Sequence, residues 1–129
     1  MNLFNYRKLI VYQKSKELVK RTYELLNKFP SIEKHALCNQ LRRASISITS
    51  NIAEGVNRFS TKDKKHFVEI AYGSLMETLS QLYLAVDLEY IKIDVIDDIR
   101  PLIETISYQL SRLRKTIDEK TAKEKNNNL

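Results

Sequence analysis

Apolar residues recur along this chain at steps of three and four with charged residues between them, and the pattern divides into four segments. In the first, Val11, Tyr12, Ser15, Leu18, Val19, Thr22, Leu25, Leu26 and Phe29 fall on one arc at helical spacing. Lys14, Glu17, Lys20, Arg21, Glu24 and Lys28 fall on the other, which predicts a helix from about Lys8 to Phe29. Pro30 cannot continue it, and Ser31 has the chemistry to cap a second helix from about Ile32 to Val56. A turn that short makes the two helices antiparallel neighbours.

The second segment departs from a simple amphipathic stripe. Leu37, Leu41, Ala44 and Ile48 make a seam, but Ala44 to Ala53 is ten residues without a charge. Those positions point in every direction around a helix, so the stretch is expected to be buried nearly all round, with a partner surface such as another copy covering Ile46, Ser50 and Ala53. Ser45-Ile46-Ser47-Ile48 also alternates with period two, as a strand would. No pairing strand or turn signal lies nearby and both flanks have helical period, so helix is preferred.

Ser60-Thr61-Lys62-Asp63 fits the capping pattern that opens a helix, and Val68, Ala71, Tyr72, Leu75, Leu79, Leu82 and Val86 then form a third stripe. The stripe fades near Leu88, and Tyr90 to Ile93 connect to the last segment. There Ile96, Ile99, Ile103, Ile106, Leu110, Leu113 and Ile117 recur at the spacing of bundle packing. Pro101 leaves two starts open: near Asp98 with proline in the first turn, or at Asp94 with a kink. The expected fold is all-α, an antiparallel up-down-up-down four-helix bundle over residues 1–118, with a disordered tail over 119–129.

Composition agrees. The chain has 129 residues, enough for one domain, and only two Gly and two Pro, too little turn chemistry for a β-sandwich. The single cysteine, Cys38, allows no intramolecular disulfide and suits a reducing cytosol. No stretch approaches the roughly 20 apolar residues of a membrane span, and Leu9 to Tyr12 is too short for a signal peptide, so a cytoplasmic, non-membrane protein is expected.

Net charge is +6, and it is segregated. Residues 1–35 carry eight Lys/Arg against three Asp/Glu, and residues 36–66 six against two. Residues 67–111 reverse the balance, two against eight, and residues 112–129 restore it, six against three. Such segregation suits either a polyanion or complementary charge between helices and between copies.

Catalytic chemistry is not legible. A di-iron bundle needs two Glu-x-x-His motifs, and here no Glu is followed by His at the third position. His35 and His66 sit beside lysines and read as solvated. Gly55 and Gly73 stand apart, so there is no phosphate-cradling loop, and Cys38 near His35 reads as a buried structural thiol. The expectation is a non-enzyme without metal or cofactor.

Polar residues border the second seam. Gln40, Arg43, Ser47, Asn51 and Glu54 stack along one flank, and Ser74, Glu77 and Gln81 do the same on the third helix. They read as a hydrogen-bonded structural network with Arg43 paired to Glu54 or Glu77; a ligand site is the alternative.

At these residues the sequence resembles a known family. Gln40-Leu-Arg-Arg-Ala-Ser-Ile-Ser-Ile-Thr-Ser-Asn-Ile-Ala-Glu-Gly55, followed by Arg58 and Ser60, is similar to the signature of bacterial "four helix bundle proteins". These were first noticed as reading frames within intervening sequences of large-subunit ribosomal RNA genes. They are similar in turn to the accessory variability determinant of diversity-generating retroelements. Phe4…Leu9-x-Val11-Tyr12, Phe67…Ile70-Ala71-x-Gly73-Ser74…Glu77 and Leu82 to Tyr90 extend the likeness over nearly the whole chain. Glu89 stands where the family usually has Gly, implying a different helix end, and Tyr12 where Trp is frequent. The resemblance implies a ring-shaped homopentamer and, from the retroelement relative, binding to nucleic acid and to a reverse transcriptase.

Two functions are therefore expected. The first is binding of RNA or DNA by an oligomer through Arg7, Lys8, Arg42, Arg43, Arg58, Lys62, Lys64 and Lys65. Aromatics are not interleaved with these charges in the sequence reading, which points to phosphate and shape contacts. The alternative is an oligomeric scaffold whose partner is another protein, using the uncharged surface of the second helix.

Overall fold

The computed structural model describes residues 5–127, and among them every regular element is helical. Four long helices pack together: α1 (Ile10–Leu26), α2 (Leu37–Val56), α3 (Thr61–Asp87) and α4 (Ile93–Asn127). Short 3-10 turns at Asn5–Lys8 and Ser31–Glu33 precede the first two. Phe4 of the quoted motif and the last two residues of the expected tail lie outside the described residues.

Helix α1 buries Val11, Ser15, Leu18 and Thr22 at steps of four, three and four. Its last turn tightens, the Lys28 and Phe29 N–H groups bonding three residues back to the Leu25 and Leu26 carbonyls, before Pro30 turns extended. Helix α2 starts at Leu37, five residues later than the periodicity suggests. The cap is not Ser31 but Glu33, whose Oε2 accepts the Leu37 N–H at 3.0 Å. Its other oxygen accepts the Tyr90 hydroxyl at 3.2 Å, tying the start of α2 to the far end of α3. A carboxylate at a helix start also complements the dipole.

The uncharged stretch of α2 is covered on one side only. Ala44, Ser45, Ile48 and Ile52 are buried, whereas Ile46 and Ser50 are exposed and Ala53 is half-buried. Burial all round does not hold within one copy, because α2 packs against α1 and α3 and these leave Ile46 and Ser50 exposed. The third seam also differs from expectation. Ser74, Thr78 and Gln81 are buried while Tyr72 is exposed, since α3 turns its polar flank toward the polar flank of α2.

Helix α3 opens on Ser60, whose Oγ accepts the Asp63 N–H at 3.1 Å, as the capping pattern predicts. Helix α4 takes the earlier of the two possible starts and carries Pro101 inside. It also continues as helix to Asn127, where an unstructured tail is expected from 119. Lys, Glu and Ala, good helix formers, sustain helix there with little burial, and Thr121 turns its Oγ1 back to donate to the Ile117 carbonyl at 3.0 Å. The core joins Leu18, Leu41, Ile48, Leu75, Leu82, Ile99 and Ile106, all fully buried, each stabilising the fold by about 1.5–3 kcal/mol. No described helix is long and apolar enough to cross a membrane.

Candidate nucleic-acid interface

The turn between α2 and α3 is built by close packing. A β-carbon at Gly55 would stand 2.8 Å from Phe67 Cβ, so only glycine lets α3 come this near. Phe67 thus lies under the turn, and the Arg58 guanidinium sits over its ring, 4.5 Å from the centroid. Arg58 Nη2 also reaches Glu54 Oε2 at 3.4 Å, an exposed pair that contributes little stability but fixes the guanidinium. The next residue, Phe59, is 97% exposed. Together with Tyr6, Ala53, Glu54 and Asn57, Arg58 and Phe59 border a depression of about 450 Å³.

Beside this turn, the first turns of α3 and the last of α4 form a cleft of about 660 Å³. Thr61, Lys62, Lys65 and His66 line it from α3, and Asp118, Thr121 and Lys125 from α4. Lys65 Nζ pairs with Asp118 Oδ1 at 2.6 Å, and Arg114 Nη2 with Glu69 Oε1 at 2.9 Å, which holds the two helices in register. Among the described residues, Lys62 and Lys125 take part in no ion pair within 4 Å.

Of the eight basic residues expected to hold nucleic acid, Lys62 and Lys65 line the cleft and Arg58 the depression, whereas Lys64 lines neither. Arg7 and Lys8 are exposed on the 3-10 turn that also brings Tyr6 to the depression. Arg42 and Arg43 do not join them: they lie some 15 residues back along α2, about 20 Å away. The Arg42 guanidinium is engaged locally, donating to the Lys34 carbonyl at 3.0 Å. Two contributions escape the sequence reading. The helical extension of α4 adds Lys125 to the cleft, and Phe59 and Tyr6 put aromatic rings among the charges. The first was legible in the helix-forming composition of 118–127, and the second in Phe59 standing next to Arg58.

The polar flank forms two small networks. Ser47 Oγ and Ser74 Oγ are 2.8 Å apart, and Asn51 Nδ2 donates to the Ser47 carbonyl and hydroxyl at 2.8 and 3.0 Å. Further along, Gln81 Nε2 donates to Gln40 Oε1 at 3.4 Å and Glu77 Oε1 at 3.2 Å. Arg43 is not the expected hub. It is exposed and pairs with neither Glu54 nor Glu77; Glu54 is taken by Arg58. These groups bond to one another across α2 and α3, as buried polar atoms require, except that Gln81 Oε1 is buried without a hydrogen-bond partner among the described residues.

Nucleophilic chemistry finds no support at Cys38. Burial pushes its thiol up, Glu33 adds to the shift and Arg42 opposes it, so the sulfur is protonated at neutral pH. Among the described residues, no group of three or more His, Cys, Asp or Glu is placed to hold a metal ion.

A four-helix bundle with a basic end is a class of protein rather than an activity. Residues 7–112 match the model of the 23S rRNA-intervening sequence protein family, and the chain belongs to that family. Among solved structures it is similar to a protein with unknown function from the S23 ribosomal protein family of Bacteroides thetaiotaomicron VPI-5482, determined at 1.70 Å resolution. The two share 27% identity over 84% of this chain and 94% of that one, with a TM-score of 0.58. No curated protein matches the chain.

Proposed function

We propose that this protein is a non-enzymatic accessory factor that binds nucleic acid, RNA in the first instance, as an oligomer of antiparallel up-down-up-down bundles. The observation that carries the reading is the gathering of Arg58, Lys62, Lys65 and Lys125 around one turn and one cleft, with Arg7 and Lys8 alongside. Phosphates are the ligands that such a surface attracts without further design, and a surface repeated in several copies multiplies both field and avidity. The family name, which links these proteins to ribosomal RNA genes, favours RNA over DNA. Assembly into a ring-shaped homopentamer is part of the proposal, supported by the uncovered back of α2 and by the resemblance.

A protein-binding scaffold is the second reading. What favours it is that same back of α2, where Ile46, 40% exposed, stands with Ser50 and Ala53. Fluorescence anisotropy of labelled structured RNA and duplex DNA, at low and near-physiological salt, separates the two. The nucleic-acid reading expects binding that survives near-physiological salt. Replacing Arg58 and Lys62 by Glu should flatten its salt dependence, by roughly 0.7–0.9 in log–log slope per lost phosphate contact. Absence of binding, or binding confined to low salt, transfers the function to a protein partner.

A further inference from the structure

We infer that α2 of one copy docks antiparallel on α3 of another, with Ile46 seated on Gly73 and Arg43 beside Glu77. This rests on the self-association in the reading above and names the two helix faces that meet. Gly73 is the starting point. It lies in the middle of a 27-residue helix, where only proline is a poorer helix former, and its φ is not positive. Packing within the chain does not require it either, since nothing lies within 4 Å of a β-carbon built there. A glycine with neither a conformational nor an internal packing reason leaves backbone bare for close approach from outside the chain.

Its setting is a seam. Ile70, Gly73, Glu77, Ser80 and Leu84 recur along α3 at steps of three and four, the spacing by which one helix packs on another, and all five are exposed. Helix α2 carries a matching row, in which Asn39, Arg43, Ile46 and Ser50 are exposed and Ala53 is half-buried. Each row holds one charge, of opposite sign, at Arg43 and Glu77. Among the described residues neither takes part in an ion pair, and the Gln81 amide that donates to Glu77 Oε1 is neutral.

The register of the two rows follows from the fold. Ser47 bonds to Ser74 and Gln40 to Gln81, so within one copy Arg43 and Glu77, which lie between those pairs, stand at the same height. Ile46 and Gly73, the neighbours of Ser47 and Ser74, are likewise level. Rotation about an axis parallel to the helices preserves height, and such a rotation closes copies of a bundle into a ring. Copies so related bring α2 of one to α3 of the next at equal height and in the same opposed sense. Arg43 then meets Glu77, and the Ile46 side chain covers the bare Gly73. A different partner would have to reproduce both the spacing and the order of charge; a second copy has them already.

The test is the solution mass of the full chain by light scattering, with circular dichroism as the check on folding. The unsubstituted chain should be an assembly. Gly73→Leu, whose side chain has open space in one copy but none beneath Ile46, should keep helical content and reduce the mass to smaller species. Arg43→Glu and Glu77→Arg should each set like charges together, so that half-dissociation occurs at a protein concentration roughly tenfold higher or more. The double substitution should restore the assembly. If Gly73→Leu loses helical content, the charge reversals decide alone. An assembly that survives Gly73→Leu folded and intact, or charge reversals that have no effect or are not rescued in the double, overturns this contact and leaves self-association to another face. A single copy in solution for the unsubstituted chain means that self-association itself fails, and the contact with it.

Discussion

Gly55 and Phe67 bring α2 and α3 close together: a β-carbon on residue 55 would stand 2.8 Å from the Phe67 Cβ. Each β-carbon is bonded directly to helical backbone, so neither can swing away by a side-chain rotation. Gly55→Ala should destabilise the fold by about 1–3 kcal/mol through overpacking, even after the roughly 1 kcal/mol that alanine gains as a helix former. Gly73 is the internal control. Nothing lies within 4 Å of a β-carbon there, so Gly73→Ala should stabilise an isolated copy by about 0.5–1 kcal/mol. Urea denaturation of the two variants checks the opposite signs, and equal effects would refute the packing argument.

Residue 89 presents the reverse case, a non-glycine where glycine fits. Glu89 has φ 64°, the left-handed conformation that closes α3. The Tyr90 N–H bonds to the Ala85 carbonyl and the Glu89 N–H to the Val86 carbonyl, both at 2.9 Å, which is the Schellman end. A side chain in that conformation costs about 1–2 kcal/mol that glycine avoids. Glu89→Gly should therefore raise stability by about 1 kcal/mol, read as a higher urea midpoint. A lower midpoint would mean that the Glu89 side chain contributes an interaction larger than the strain it brings.

The same two positions show how much was legible in the chain. Heptad spacing from Ile96 to Leu110 and the Ser60 cap could be read directly, because each depends on residues close in sequence. The different helix end that the resemblance implied at 89 is not found, since Glu89 itself takes the left-handed position that glycine usually fills. The start of α2 could not be read, since its cap is Glu33, which also serves Tyr90 more than fifty residues away. Nor could the burial of Ser74, Thr78 and Gln81, which follows from α3 facing Gln40 and Ser47 on another helix. Among site residues, the charges near Arg58 were visible as composition. Their separation from Arg42 and Arg43, and the aromatic rings of Phe59 and Tyr6 beside them, appear only when helices are given length and a turn is given direction.

Cys38 and Tyr90 make alkaline stability a measure of this packing. Burial raises the Cys38 thiol above its ordinary 9.0, and burial with the hydrogen bond to Glu33 raises the Tyr90 phenol above 10.0. Both folded values exceed the unfolded ones, so across that window the unfolded chain has released protons that the folded chain keeps. Stability should then be level below about pH 9 and fall as pH rises further. Urea midpoints at pH 7.5 and 10 should differ for the unsubstituted chain and differ less for Cys38→Ala combined with Tyr90→Phe. An equal drop in both would assign the alkaline loss to other groups.

The back of α2 offers the sharpest test of assembly. Ile46 is 40% exposed and shares its outward face with Ser50 and the half-buried Ala53, and no charge occurs from Ala44 to Ala53 to keep that face wet. A single exposed isoleucine is ordinary, but a ten-residue span of helix without one charge on its outer side is a surface suited to burial against another. An aspartate at residue 46 would cost little in an isolated copy, where its carboxylate can reach solvent. In an interface it would be a buried charge without a partner, a loss of several kcal/mol for each contact. Ile46→Asp should thus leave helical content by circular dichroism unchanged while light scattering shows the assembly reduced to smaller species. An unaltered mass in solution would remove this face from the interface and with it the support that α2 gives to a self-associating protein.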